Sequence, residues 1–111
     1  MQLLTKELRD KFPKLRDMDE KNNEDIPVIA KFFTPWTNWT WYATEGEPVL
    51  DENGKEIDYH FSGFVRGLEN ELGYFSLKEL ESVKGPFGLR IERDLYFSEE
   101  HTLAEVMDKQ L

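Results

Sequence analysis

The stretch Ile26–Thr44, IPVIAKFFTPWTNWTWYAT, decides the fold. Its first part, Ile26 to Thr34, is rich in β-branched and aromatic residues. Val28, Ala30 and Phe32 fall on one parity, Ile29 and Phe33 on the other. Apolar side chains on both parities predict a strand covered on both faces, hence one inside a sheet. Pro35 and Asn38 then supply turn residues, and Trp39 to Thr44 reads as a second strand. The two strands form an antiparallel hairpin with a short loop.

In that second strand Trp39, Trp41 and Ala43 alternate with Thr40, Tyr42 and Thr44. Each tryptophan ring would bury about 150–250 Å², so the expectation is that Trp39 and Trp41 face the core. Tyr42 then lies on the opposite face. Trp36 falls in the turn, where a ring is hard to bury within the same sheet, and is the expected exposed contact residue.

Outward from the hairpin, Thr5 can cap an amino-terminal helix in which Leu4, Leu8 and Phe12 recur every four residues until Pro13 stops it. Residues 16–25 are polar throughout and read as a mobile loop; residues 45–58, with Pro48 and Asn53-Gly54, read as a second mobile loop or as a small hairpin tip. Tyr59 to Arg66 and Leu72 to Phe75 are the next strands. Ser76 and Glu79 fit a capping box that opens a helix to about Val83, ended by Gly85-Pro86. Arg90 to Phe97 is extended and edge-like, and Thr102 with Glu105 is a second capping box before a terminal helix. The order predicts a single α+β domain over residues 1–111. Its antiparallel sheet has four to five strands, with short helices at the amino terminus, after strand four and at the carboxyl terminus.

Charge narrows the function. Fourteen basic against twenty-three acidic side chains give a net charge of −9, which opposes attraction to phosphate backbones and anionic lipid. Residues 1–50 carry seven basic and nine acidic groups, so most of the excess acid belongs to the second half. Lys6, Arg9, Lys11, Lys14 and Arg16 form a basic cluster best read as a solvated helix face. Without cysteine there is no thiolate metal site or thiol nucleophile. The chain has no run approaching the roughly 20 apolar residues of a membrane span and no signal-like amino terminus. This points to the cytoplasm, away from membranes.

No catalytic constellation emerges. The two histidines lie in different elements, and Asp51, Glu52, Glu56 and Asp58 cluster without the calcium-loop order. The glycines match no nucleotide fingerprint, so neither metal nor cofactor is expected. The candidate binding residues are Trp36, Tyr42, Glu45, Tyr74, Glu92, Arg93 and Asp94. In Glu92-Arg93-Asp94 a planar guanidinium is flanked by two carboxylates. In a strand, Glu92 and Asp94 share one face and Arg93 takes the other.

The words KFFTPWTNWTWYATEGE (residues 31–47), GFVRGLENELGYFSLKELESVKGPFGL (63–89) and IERDLYF (91–97), with LLTKEL near the amino terminus, resemble the domain of unknown function family 2958. The matching residues include Trp39, Trp41, Tyr42, Glu45, Gly73, Tyr74, Phe75, Gly85, Pro86 and Glu92 to Asp94; Pro48 to Tyr59 is longer than the family pattern. The resemblance implies small bacterial proteins of plasmids, integrative elements and phages, with no assigned activity.

The leading expectation is a non-enzymatic module that binds a host or element-encoded protein. One alternative is a ligand-binding or enzymatic pocket on the open face of the sheet, in which Arg93 holds an anionic group. The other is stacking of single-stranded nucleic acid on Trp36, Trp39, Trp41 and Tyr42. That reading suffers from the absence of any basic residue between Thr34 and Gly54.

Overall fold

In the computed structural model, which describes Met1–Leu111, the sheet has five antiparallel strands. They are β1 (Ala30–Phe33), β2 (Thr40–Leu50), β3 (Glu56–Arg66), β4 (Asn70–Ser76) and β5 (Glu92–Arg93), in the order β4-β3-β2-β1-β5. Helices α1 (Lys6–Lys11), α2 (Leu77–Ser82) and α3 (Leu103–Asp108) come before, between and after them. The fold is α+β. Each helix starts where the sequence places its cap: the side chains of Thr5, Ser76 and Thr102 accept from the backbone N–H of Leu8, Glu79 and Glu105. At six residues apiece, such helices are too short to stand alone, so packing on the sheet must hold them.

Both faces of the sheet are covered. One carries Leu4, Phe12, Phe32, Phe61, Phe75 and Leu80, so α1 and α2 lie here. The other carries Ile26, Val28, Tyr42, Phe64, Leu103 and Val106, so α3 and the chain before β1 lie there. Phe12 and Phe32 tilt against Phe61 with ring centroids 5.5 Å away, and Phe75 stacks on it at 5.4 Å.

The β1–β2 hairpin forms as expected, with Ala30 opposite Ala43 and Phe33 opposite Thr40. Burial follows neither parity, with Ala43 buried on one and Tyr42 on the other. Tyr42 is fully buried, whereas Trp41 is half-buried and Trp39 exposed, because a sheet covered on both sides gives neither parity a monopoly of the interior. The strand before the turn is shorter than Ile26–Thr34, and β2, not β1, is the middle strand.

Residues 45–58 form the hairpin tip, and the mobile-loop reading is corrected. β2 continues through Leu50 and β3 begins at Glu56, leaving only Asp51 to Lys55 as a turn, tied by the Asp51 carboxylate to the N–H groups of Asn53 and Lys55 (2.8 and 2.9 Å). Pro48 is tolerated because β1 pairs only with Thr40–Ala43, so beyond Ala43 one side of β2 is free of a strand partner. Gly46 turns its N–H to that side, onto Pro13 O at 2.9 Å, and Pro48, two residues on, has its nitrogen on the same side. Residues 16–25 hold turns and one turn of 3-10 helix, Asn23–Asp25.

Ala43, Gly63 and Gly73 lie side by side across β2, β3 and β4. Between Ala43 and Glu45 the β2–β3 register shifts by a bulge at Thr44, and a Cβ on Gly63 would lie 1.8 Å from Tyr42 O. Only glycine fits. At Gly73 an added Cβ meets nothing within 4 Å. Gly63→Ala is therefore expected to cost more than about 2 kcal/mol in urea unfolding. Gly73→Ala is expected to be neutral or to stabilise by up to about 1 kcal/mol. Equal effects of the two would refute this account of the bulge.

Candidate functional site

Glu45 is buried on the face that carries Tyr42. Its Oε2 accepts from Met18 N at 2.8 Å, and Ser62 Oγ donates to Oε1. Two residues on, Glu47 Oε1 accepts from Leu15 N at 2.9 Å. Together with the Gly46–Pro13 bond, these contacts strap residues 13–18 across the free side of β2. The chain thereby passes from the α1 face to the α3 face. Glu45 is thus a structural anchor, although it also lines a groove of about 300 Å³ with Met18, Leu72 and the exposed Tyr74.

The other candidates are dispersed. Tyr42 is inside the core; its hydroxyl donates to Leu111 O at 3.4 Å, and burial pushes its pKa above the ordinary value. Arg93 Nη1 donates to Leu3 O at 3.2 Å, and Asp94 pairs with Lys31 at 3.4 Å. Glu92 is half-buried opposite Phe33. Arg93 and Asp94 line a different groove, also about 300 Å³, with Leu8, Lys11 and Leu95. Tyr74 and Arg93 belong to β4 and β5, the two edges of the sheet, roughly 19 Å apart at four strand spacings. Tyr42, Glu45, Tyr74, Glu92, Arg93 and Asp94, the residues of the expected pocket on the open face, therefore do not line one cleft.

The acid cluster of residues 51–58 is likewise engaged. Asp51 ties its turn, Glu56 pairs with Arg9, and Asp58 accepts from Tyr59 N and Lys78 N. Burial alone would raise the Asp58 pKa, but those donors hold it below the ordinary carboxylate value.

A different feature gathers at the end of the sheet where the β1–β2 and β3–β4 turns lie. Trp36 is half-buried, its ring flat enough on Gly85 that a Cβ there would come within 2.6 Å. Trp39 covers Gly67 in the same way, at 2.4 Å, and stacks on Trp41 with ring centroids 5.7 Å apart. Beside these contacts are two side chains turned almost wholly to solvent, Leu68 and Phe87. Phe87 is the more unusual. Its backbone is left-handed (φ 57°, ψ 29°), a conformation uncommon for a bulky residue and costing about 1–2 kcal/mol. The loop around it is closed by the bridge of Lys84 to Arg90 and by Gly85 N to Leu89 O at 2.8 Å.

Sequence reasoning took Gly85-Pro86 for a helix stop and missed the tip that follows. The available signal was the pattern Gly-Pro-Phe-Gly, in which a large apolar residue stands at the head of a turn flanked by residues suited to one.

The anchoring role of Glu45 is open to a direct check. Glu45→Ala is expected to lower stability by about 2 kcal/mol, by removing a charge-assisted acceptor from Met18 and Ser62, and to speed exchange of the Met18 amide. Unchanged exchange at Met18 would contradict the role.

No curated protein and no solved structure matches the chain. The family model described as protein of unknown function, DUF2958, matches residues 3–110, nearly its whole length. The chain belongs to that family.

Proposed function

We propose that the protein is a non-enzymatic accessory module of a mobile genetic element, working in the cytoplasm by binding another protein through the end of the sheet that carries Phe87. The observation that carries this reading is Phe87 itself: a fully exposed aromatic ring on left-handed backbone. Holding a large residue in that conformation is unfavourable and gives nothing to the core, which fits a side chain kept for a partner's pocket. Trp36, Trp39 and Leu68 add apolar area at the same end. The mobile-element setting rests on the family resemblance. The net charge of −9 favours a partner with basic character around its pocket.

Nucleic-acid stacking has less support. Arg9 lies 5.0 Å from the Tyr59 ring and pairs with Glu56, and Lys11 pairs with Glu99 at 2.6 Å. Tyr59 and Gly67 are separated by the length of β3, roughly 25 Å, so the basic helix and the Trp39 ring lie at opposite ends. At the ring end the exposed cations are Lys84 and Arg90 at the base of the Phe87 loop, and Arg90 donates to Glu81 O at 3.0 Å.

The test uses the intact protein as bait in the bacterial host, with variants as controls. Phe87→Ala is expected to abolish capture of the partner while shifting stability by no more than about 0.5 kcal/mol. Tyr96→Ala, which removes another exposed ring, is expected to retain capture. A partner held equally well by Phe87→Ala and Trp36→Ala would defeat the proposal. Separately, a single-stranded oligonucleotide is expected to show no binding at physiological salt by fluorescence anisotropy; tight, salt-sensitive binding lost on Trp39→Ala would favour the stacking alternative.

A further inference from the structure

β4 is an edge strand. It pairs with β3 without a register break from Ser76 to Asn70, and nothing pairs with its other side. Edge strands are commonly guarded by proline, lysine, a bulge or extreme shortness. The seven residues NELGYFS have no proline, lysine or bulge, and their one charged guard is Glu71. The opposite edge differs: β5 is two residues long, and its Arg93 is tied to Leu3. The side of β2 beyond Ala43 also lacks a strand, but residues 13–18 cover it at Gly46 and Pro48 interrupts its donors, so β4 is the long open edge.

The side chains along β4 say what would suit it. Leu72 and Tyr74, both more than half exposed, share the face of Phe64 and Ser62. Glu71 shares the face of Val65, and next to it on that face Gly73 leaves open space. Glu69 follows in the turn and is exposed as well. An incoming strand would thus meet apolar surface on one face. On the other it would meet carboxylate, with room over Gly73 for a long side chain.

We propose that the free edge of β4 accepts an extended segment of a partner protein as an additional strand, with apolar residues on one face and lysine or arginine on the other. Main-chain hydrogen bonds would provide the pairing and the alternating side chains the selectivity. Two copies of this chain are poorly suited to each other there, since each carries a net charge of −9 and brings Glu69 and Glu71 to the edge. The surface is distinct from the Phe87 tip, so either proposal can fail alone.

The test follows backbone amide exchange by NMR in the full chain, with two synthetic peptides of equal length, one alternating valine and lysine, the other valine and glutamate. The valine–lysine peptide is expected to slow exchange in residues 70–76 by about tenfold or more, the valine–glutamate peptide not to. Glu71→Lys is expected to reverse that preference. N-methylation of the peptide backbone on its pairing side is expected to remove the effect. The proposal is overturned if neither peptide slows exchange there or if the N-methylated peptide works equally well. It is overturned too if sedimentation shows a dimer whose β4 amides are already protected.

Discussion

The α3 face of the sheet depends on the place where β2 leaves β1. Pairing with β1 stops at Ala43, the bulge at Thr44 follows, and from Glu45 onward one side of β2 lacks a strand. Such an edge would leave N–H groups unpaired beside the core, an expensive arrangement if nothing answered them. Residues 13–18 answer the one at Gly46 and are themselves held there by two side chains of β2. Pro13 O takes the Gly46 N–H, while the carboxylates of Glu45 and Glu47 take the N–H groups of Met18 and Leu15. The same contacts carry the chain from the α1 face to the α3 face. A chain of 111 residues with helices of only six covers both sides of one sheet this way.

That arrangement explains which parts of the fold were legible. The helix starts were, because a cap is a local interaction between a side chain and the N–H three residues on, as at Thr5, Ser76 and Thr102. The β1–β2 hairpin was legible for a similar reason. Residues 45–58 were legible only as a choice between loop and hairpin tip, because Pro48 and Asn53-Gly54 are both strong local signals for irregular backbone. What overrides the first is a non-local fact, the absence of β1 alongside Pro48. Trp39 was misassigned for a comparable reason. Alternation separates the two faces of a strand but does not say how far along it the cover runs: on the tryptophan face Ala43 is buried, Trp41 packs partly against the core and Trp39, at the turn end, is exposed.

The candidate site was legible only in part. Trp36 lies in the β1–β2 turn, but its ring is half-buried on Gly85 and not exposed as expected, a contact between segments nearly fifty positions apart that no local pattern encodes. The pairing of Arg93 with Leu3 and of Asp94 with Lys31 is equally non-local, and it turns an apparent charged site into fastening for the edge strand β5. Glu45 drew attention as an acid beside an aromatic strand. Its two hydrogen-bond partners show that the acid is there to hold the chain.

What distinguishes the Phe87 end from an ordinary exposed loop is how it is held. Trp36 on Gly85 joins the β1–β2 turn to the base of the Phe87 loop, and Trp39 on Gly67 joins β2 to the β3–β4 turn. Each contact needs the missing Cβ, because a methyl group at either glycine would strike the indole. The Lys84–Arg90 bridge then closes the loop itself. A tip fastened at its base loses less freedom on binding than a loose loop would, so more of the contact energy of the ring survives as affinity. The exposed residues Leu95 and Tyr96 follow β5 in the 94–98 turn, without a glycine–tryptophan contact to fix them. Equal exposure thus has unequal value: Phe87 and Tyr96 are both almost fully open to solvent, but only Phe87 is presented by a loop tied to the β1–β2 turn.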